Sequence, residues 1–138
     1  MTVPALYTTA HRLRFNDTDK LGHVNNAVFA VMLEQGRSEL MIEAGLPMGT
    51  GEQAVVIVRM ELDFLAEMIW PGDVTIETWV TRLGGRSFQL GQRLLQDGTP
   101  TGRALTVMVV MDRAARRAVP IEAWRDSLSR WLVPETAG

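Results

Sequence analysis

The feature that most constrains this fold is an apolar run inside a helix-forming segment. Residues 27–33 read AVFAVML and carry no polar side chain over about two helical turns. The amphipathic stretch EQGRSELMIEA follows, and Gly45 supplies a C-terminal stop. Together with an N-cap at Asn25 or Asn26, this pattern predicts a helix of about five turns. Because a helix that is apolar on every side must be surrounded by other elements, we expect the rest of the chain to wrap around it.

The rest of the chain is rich in strand-forming patterns. Gly84-Gly85 and Asp97-Gly98 separate consecutive alternating segments and are typical of hairpins. The sequence therefore predicts an α+β fold, in which an antiparallel five-stranded sheet wraps around the long central helix. The expected strands are residues 7–15, 54–65, 74–83, 86–96 and 101–112, the last four forming an antiparallel run, followed by a short terminal helix with Ile121, Trp124, Leu128 and Trp131 at helical spacing.

Length and composition narrow the classes of function. The 138 residues suffice for one domain, expected to span residues 1–138. A net charge of −2 without a Lys/Arg-rich run argues against nucleic acid or an anionic membrane as a partner. The absence of cysteine excludes thiolate ligands and a cysteine nucleophile, and two histidines without a carboxylate cluster predict neither a metal site nor a cofactor. The N-terminal sequence has no secretory signal pattern, which predicts a cytoplasmic protein.

A polar loop, residues 16–24 with the sequence NDTDKLGHV, leads directly into the predicted helix. The unpaired backbone N–H groups and the dipole at a helix N-terminus favour negative charge, so this junction suits an oxyanion. Acyl transfer needs such a place for its tetrahedral intermediate, with a carboxylate or imidazole nearby to attack or to activate water. Asp17, Asp19 and His23 are the candidates. The side chains of Asn25 and Asn26 are expected to cap the helix, even if a backbone N–H serves the reaction.

The pattern D-T-D-x-x-G-H-V-N-N followed by E-x-x-R resembles the 4-hydroxybenzoyl-CoA thioesterase-like branch of the hotdog acyl-CoA thioesterases. The similarity extends to PGDVTIETWVTRLGGRSF and VMVVMDRAARRAVPI, and so to most of residues 6–131. It implies a hotdog fold and hydrolysis of a thioester to a free acid and CoA. Since the branch that acts on 4-hydroxybenzoyl-CoA has aromatic and aliphatic residues in place of His23 and Asn26, the same substrate is not implied.

The resemblance also implies roles for individual residues. Asp19 corresponds to the catalytic carboxylate, a general base or a nucleophile, and the backbone N–H of Asn26 to the oxyanion donor. His23 matches a histidine implicated in plant acyl-ACP thioesterases. The resemblance places the CoA entrance near Arg82, Arg86 and Ser87, where basic groups can meet phosphates.

Other readings of the same residues stay open. One alternative is a hotdog hydratase or dehydratase, although those enzymes set a histidine beside a proline in the loop or pair a histidine on the helix with an acid. Another is a non-catalytic acyl-binding module, against which the intact Asp19 argues. The expected substrate partner is an acyl-CoA, with an acyl carrier protein thioester left open. Glu34 is expected to pair with Arg37. A homodimer or dimer of dimers is expected to cover the sheet edge at residues 54–65 and to place the active site between protomers.

Overall fold

The computed structural model describes residues 6–133. Over this range the chain forms six strands and two α-helices, with short 3₁₀ turns at Phe15–Asp17 and Glu122–Trp124. In chain order the elements are β1 (Tyr7–Arg12), α1 (Asn26–Glu43), β2 (Gln53–Phe64), β3 (Asp73–Leu83), β4 (Ser87–Gln96), β5 (Thr99–Asp112), β6 (Arg117–Val119) and α2 (Arg125–Ser129).

The strands form one antiparallel sheet in the order β1-β3-β4-β5-β2, with β6 paired to the end of β5. The hairpin predicted at Asp97-Gly98 is confirmed, and both residues have the positive φ that this turn requires. The expected antiparallel run of four consecutive strands is wrong in one respect. β2 pairs with β5 instead of β3, because the connection after β2 leads past β5 and β4 to the position of β3 beside β1. As a result, β1 and β2 are the two edges.

Helix α1 lies against one face of this sheet, and together they form the predicted hotdog arrangement. The two are in close contact at Gly36, where an added Cβ would lie 2.6 Å from Ile76 Cγ2 and 3.0 Å from Thr78 Oγ1. A larger residue at position 36 would force the helix away from β3. The buried residues of α1 recur at helical spacing and so lie on one side of the helix; they are Phe29, Met32, Leu33, Gly36, Arg37, Leu40 and Met41.

The opposite side of α1 is open in the single chain. Val31 is 57% exposed and Ile42 is 62% exposed. The expectation that the apolar run is surrounded on every side is therefore not met within one chain, because the sheet covers only one side of the helix. None of the helices within residues 6–133 combines the length and apolar character needed to cross a membrane.

The first strand and the C-terminal helix are shorter than predicted. Strand β1 stops at Arg12, where residues up to 15 were predicted, because Arg14 N–H bonds to Asp17 Oδ2 and the chain turns into the 3₁₀ segment Phe15–Asp17. The predicted terminal helix is a 3₁₀ turn followed by the short α2. Its apolar residues still enter the core, since Ile121, Leu128 and Trp131 are buried.

Candidate active site

The loop before α1 is closed by Asp19. Its backbone N–H donates to His23 O at 2.8 Å, and its Oδ1 accepts from the backbone N–H of Leu21 at 2.8 Å and of His23 at 3.3 Å. Gly22 has φ 83°, which favours glycine there. Asp19 is exposed, and within the described residues its Oδ2 makes no hydrogen bond to protein. One carboxylate oxygen therefore shapes the loop while the other stays accessible.

Asp17 stabilises the same loop from its buried side. It is 1% exposed, and its Oδ2 accepts from Arg14 N–H at 2.8 Å and lies 3.3 Å from His11 Nε2, while Oδ1 accepts from Arg14 Nη2 at 3.0 Å. Burial alone would raise its pKa, but the hydrogen bonds from Arg14 and His11 outweigh it and hold the pKa of Asp17 below its ordinary value. Asp17 O also accepts from Asn25 N–H at 2.8 Å. These contacts give Asp17 a structural role in the loop.

The start of α1 carries the N-cap at Asn25, whose Oδ1 accepts from Ala27 N–H at 2.9 Å. The helix itself begins at Asn26, whose backbone N–H is one of the donors that a helix leaves without an intrahelical partner. A negatively charged oxygen at this end would meet both that donor and the positive end of the helix dipole.

A cavity of about 250 Å³, here called the Asp19 cavity, opens at this junction. Asp19, His23 and Asn26, the three residues proposed from the sequence, all line it. Its apolar part includes Phe29 and Phe64, whose rings are 5.0 Å apart in an edge-on arrangement. The remaining lining residues are Val24, Leu65, Ala66 and Glu67. The cavity thus combines a carboxylate, a helix N-terminus and an apolar surface.

Glu67 is a lining residue that sequence reasoning missed. Its Oε2 lies 3.1 Å from His23 Nε2, and its segment is tied to the loop by the hydrogen bond from Val24 N–H to Met68 O at 2.9 Å. Glu67 lies in the connection between β2 and β3, which carries no pattern pointing to His23 in the sequence. The contact arises only when β2 takes its place at the sheet edge.

Arg82, Arg86 and Ser87 lie elsewhere in the single chain. None of them lines the Asp19 cavity. Arg86 is exposed and its Nη1 donates to Ala118 O at 3.0 Å, while Ser87 O accepts from Gly84 N–H at 2.8 Å. Arg82 lies near the end of β3, Arg86 lies in the turn that follows, and Ser87 begins β4.

The expected ion pair between Glu34 and Arg37 is wrong: the two side chains do not come within 4 Å. Arg37 instead turns inward, is 5% exposed, and donates from Nη1 to Gln92 Oε1 at 3.4 Å. Burial lowers the pKa of Arg37, and the negative charge of Glu34 partly opposes that effect. The helix spacing is right for a pair, but the packing of α1 on the sheet draws the guanidinium away from it.

Metal ligation receives no support from the arrangement of side chains. Among residues 6–133, no three His, Asp or Glu side chains lie close enough together to hold a metal ion.

The fold and the sequence both resemble known proteins. A structure described as a predicted thioesterase from Bacillus stearothermophilus superposes with a TM-score of 0.85 at 29% identity, covering 96% of this chain and all of that one. A thioesterase from Thermus thermophilus in complex with coenzyme A and Zn gives 0.79 at 29% identity, covering 88% and 90% of the two chains. The protein SAV2348 from Staphylococcus aureus in complex with CoA gives 0.88 at 14% identity, covering 100% of this chain and 92% of that one, a likeness of fold alone.

The sequence pattern of one protein family also matches, over residues 13–132. That range holds the loop, helix α1 and all strands except β1. The chain belongs to the thioesterase-like superfamily.

Proposed function

We propose that this protein is an acyl-CoA thioesterase that uses Asp19 as its catalytic carboxylate. The observation that carries the proposal is the Asp19 cavity, which is lined both by Asp19, whose carboxylate has one accessible oxygen, and by Asn26, the first residue of helix α1. Membership of the thioesterase-like superfamily and the likeness to a thioesterase that binds coenzyme A support the choice of substrate.

In the proposed reaction, the thioester carbonyl oxygen points at the N-terminus of α1. Water attacks the carbonyl carbon while Asp19 takes its proton, and the developing oxyanion is stabilised by the backbone N–H of Asn26 and the helix dipole. Collapse of the tetrahedral intermediate breaks the C–S bond. The thiolate of CoA leaves and recovers the proton from Asp19, so the products are a free acid and CoA.

A covalent route uses the same residues. Here Asp19 attacks the carbonyl first, CoA leaves, and water hydrolyses the resulting mixed anhydride. Single turnover in isotope-labelled water identifies a covalent route in which water attacks the Asp19 side of the anhydride, because only that attack places label in the Asp19 side chain. In either route His23 lies beside the reacting group, and its contact with Glu67 would orient the imidazole.

We also infer a dimer through β2. This edge strand exposes Ile57 and Val58, at 46% and 56%, and an uncovered apolar edge favours pairing with another strand. Two-fold antiparallel pairing of β2 with a second copy would continue the sheet and set Phe64 of one protomer beside the first residues of the other β2. The Asp19 cavity would then lie at the interface.

Release of free thiol from short, long and aromatic acyl-CoAs tests the function. Asp19→Asn should lower the rate about a hundred- to ten-thousand-fold, as expected for loss of a general base, without lowering Tm. Asp97→Asn, in the exposed β4–β5 hairpin, is the matched control and should keep full activity. Full activity in Asp19→Asn would refute the assignment.

The same screen separates the rival classes. A hydratase would consume an enoyl-CoA without releasing thiol, and a binding module would retain acyl-CoA without turnover. Parallel assays with acyl-CoA and the matching acyl carrier protein thioester identify the carrier.

A further inference from the structure

A second cavity lies on the same helix and is not used by the proposed reaction. It has a volume of about 320 Å³ and sits between the middle of α1 and the start of β2. Methionines 41, 48 and 108 supply much of its wall, beside Val55 and Ile57, and Arg37 is its buried charged residue. The volume lies within the range of small-molecule sites, about 300 to 1,000 Å³. We call it the Arg37 cavity.

Arg37 is poorly satisfied by the chain itself. A guanidinium has five N–H donors, but within residues 6–133 Arg37 makes one hydrogen bond, to Gln92 Oε1 at 3.4 Å. The guanidinium nitrogens that make no hydrogen bond to the described residues are not sealed off from solvent, so they can be reached from the cavity, and a carboxylate can accept two parallel hydrogen bonds from such a group. The site therefore has unused capacity for an anionic oxygen.

The environment of Arg37 is fixed in advance. The amide nitrogen of Gln92 donates to Leu33 O at 2.9 Å and to Thr78 Oγ1 at 3.0 Å, which turns its Oε1 toward Arg37. A Cβ added at Gly36 would lie 3.0 Å from Thr78 Oγ1 and 3.1 Å from Gln92 Nε2, so the helix backbone lies tightly against these two side chains. Gln92 is thus held in one place, and its Oε1 gives the guanidinium a fixed point of contact.

Glu34 lies at the exposed rim of the Arg37 cavity and is not bonded to Arg37. Because solvent screens an exposed charge more than a buried one, the positive charge of Arg37 dominates the electrostatic potential inside the cavity. The flexible methionine side chains can pack against the apolar part of a ligand whose charged end contacts Arg37.

We propose that the Arg37 cavity receives the distal end of the acyl group and selects acyl chains that end in a carboxylate. This rests on the proposed function, which supplies the thioester at the other end of the same chain. Within one chain Arg37 follows Asn26 by 11 residues, a rise of about 16 Å that is longer than an extended acyl chain of eight carbons. In the proposed dimer, the Asp19 cavity of one protomer borders the start of β2 in the other, which brings the second copy's Arg37 cavity next to it, so the acyl chain would run from one protomer into the other.

The test compares length-matched substrates with the full-length protein. Succinyl-CoA is paired with butyryl-CoA, adipoyl-CoA with hexanoyl-CoA, and suberoyl-CoA with octanoyl-CoA. Wild-type kcat/KM should favour the carboxylate-bearing member of at least one pair. Arg37→Met should lower that preference by about tenfold or more, mainly through KM, as expected for one charge-assisted hydrogen bond. Arg12→Met, at an exposed arginine of β1, is the matched control and should keep the preference.

Two further measurements keep the outcome decisive. Glu34→Gln should increase the preference, because it removes a negative charge from the rim while keeping the side-chain shape. If Arg37→Met does not fold, the wild-type KM for suberoyl-CoA is compared instead with that for its neutral amide, 8-amino-8-oxooctanoyl-CoA, and suberoyl-CoA should have the lower KM. A wild type that prefers the uncharged member of every pair, or has the same KM for the acid and the amide, overturns the proposal.

Failure of this proposal and failure of the proposed function give different results. Thiol release from butyryl-, hexanoyl- or octanoyl-CoA without a carboxylate preference leaves the thioesterase standing and removes the Arg37 site. Absence of thiol release from all six substrates removes the thioesterase, while a larger rise in Tm with suberoyl-CoA than with octanoyl-CoA, lost in Arg37→Met, would still assign a carboxylate site to Arg37.

Discussion

His23 Nε2 and Glu67 Oε2 lie 3.1 Å apart and join the loop before α1 to the connection after β2. Both side chains are partly or largely exposed, so the pair is worth little in stability and its value lies in orienting the imidazole beside Asp19. Glu67→Gln should therefore lower kcat modestly, by less than about fivefold, with Tm nearly unchanged. Thiol-release kinetics check this, with Glu122→Gln, at an exposed pair far from the loop, as control. A loss as large as that of Asp19→Asn would mean that Glu67 takes part in the chemistry itself.

Asp17→Asn should destabilise the protein. The carboxylate is buried and accepts hydrogen bonds from the backbone and guanidinium of Arg14, and an amide can reproduce only part of them. We expect a loss of about 1–3 kcal/mol in the free energy of unfolding, measured with urea. Asp19→Asn, whose side chain is exposed, should lose much less. Equal losses in the two variants would contradict the distinct roles given to these carboxylates.

Acid should weaken the protein through the same residue. Because the pKa of Asp17 is lower in the folded state than in the unfolded chain, its contribution is fully present above the unfolded pKa of about 3.9 and is lost as pH falls through the folded pKa. Tm of the wild type should fall as pH is lowered through and below 4, by more than in Asp17→Asn. Melting curves across this range would show parallel pH dependence if Asp17 were not the responsible group.

Local patterns in the sequence predicted most of this fold. The loop and helix start around Asn25, the alternating strands and the Asp97-Gly98 hairpin depend on neighbouring residues, and these features were confirmed. The end of β1 was misplaced because the Asp17 carboxylate captures Arg14 N–H, a competition that alternation cannot reveal. The family was also recognisable, since its motif residues are contiguous.

Contacts between distant segments could not be predicted. Glu67 reaches His23 only because β2 pairs with β5 at the sheet edge. Arg37 has a carboxylate three residues before it, yet it bonds to Gln92, 55 positions away. Helical spacing correctly describes which side chains are neighbours, but burial decides which partner is reached. The catalytic roles of Asp19, His23 and Asn26 stay predictions, although the three residues share one cavity.

The protein should be at least a dimer in solution through β2. Light scattering at micromolar concentration should give twice the chain mass or more, and Val58→Lys should shift it toward the monomer with loss of activity. Thr8→Lys, on the opposite sheet edge β1, is the matched control and should leave the assembly intact. A stable wild-type monomer with full activity would rule out a site shared between protomers.

Arg86→Ala tests whether the β3–β4 turn contacts CoA. If Arg86 meets a phosphate, KM should rise by roughly tenfold or less while kcat barely changes. Arg86 also bonds to Ala118 O, so Tm is measured alongside to detect loosening of β6. Arg117→Ala, at a neighbouring exposed arginine of β6, controls for charge alone. An effect confined to kcat would exclude a binding role.

The tight contact at Gly36 limits how this scaffold can change its substrate. An added methyl group there would collide with Ile76 on β3, so α1 has no room to move closer to the sheet, and the position of Arg37 relative to the sheet is set by the backbone. Chain-length preference in relatives with glycine at this position is therefore expected to evolve by exchanging wall residues such as Met41 and Met108, which can be resized one at a time while the helix stays still.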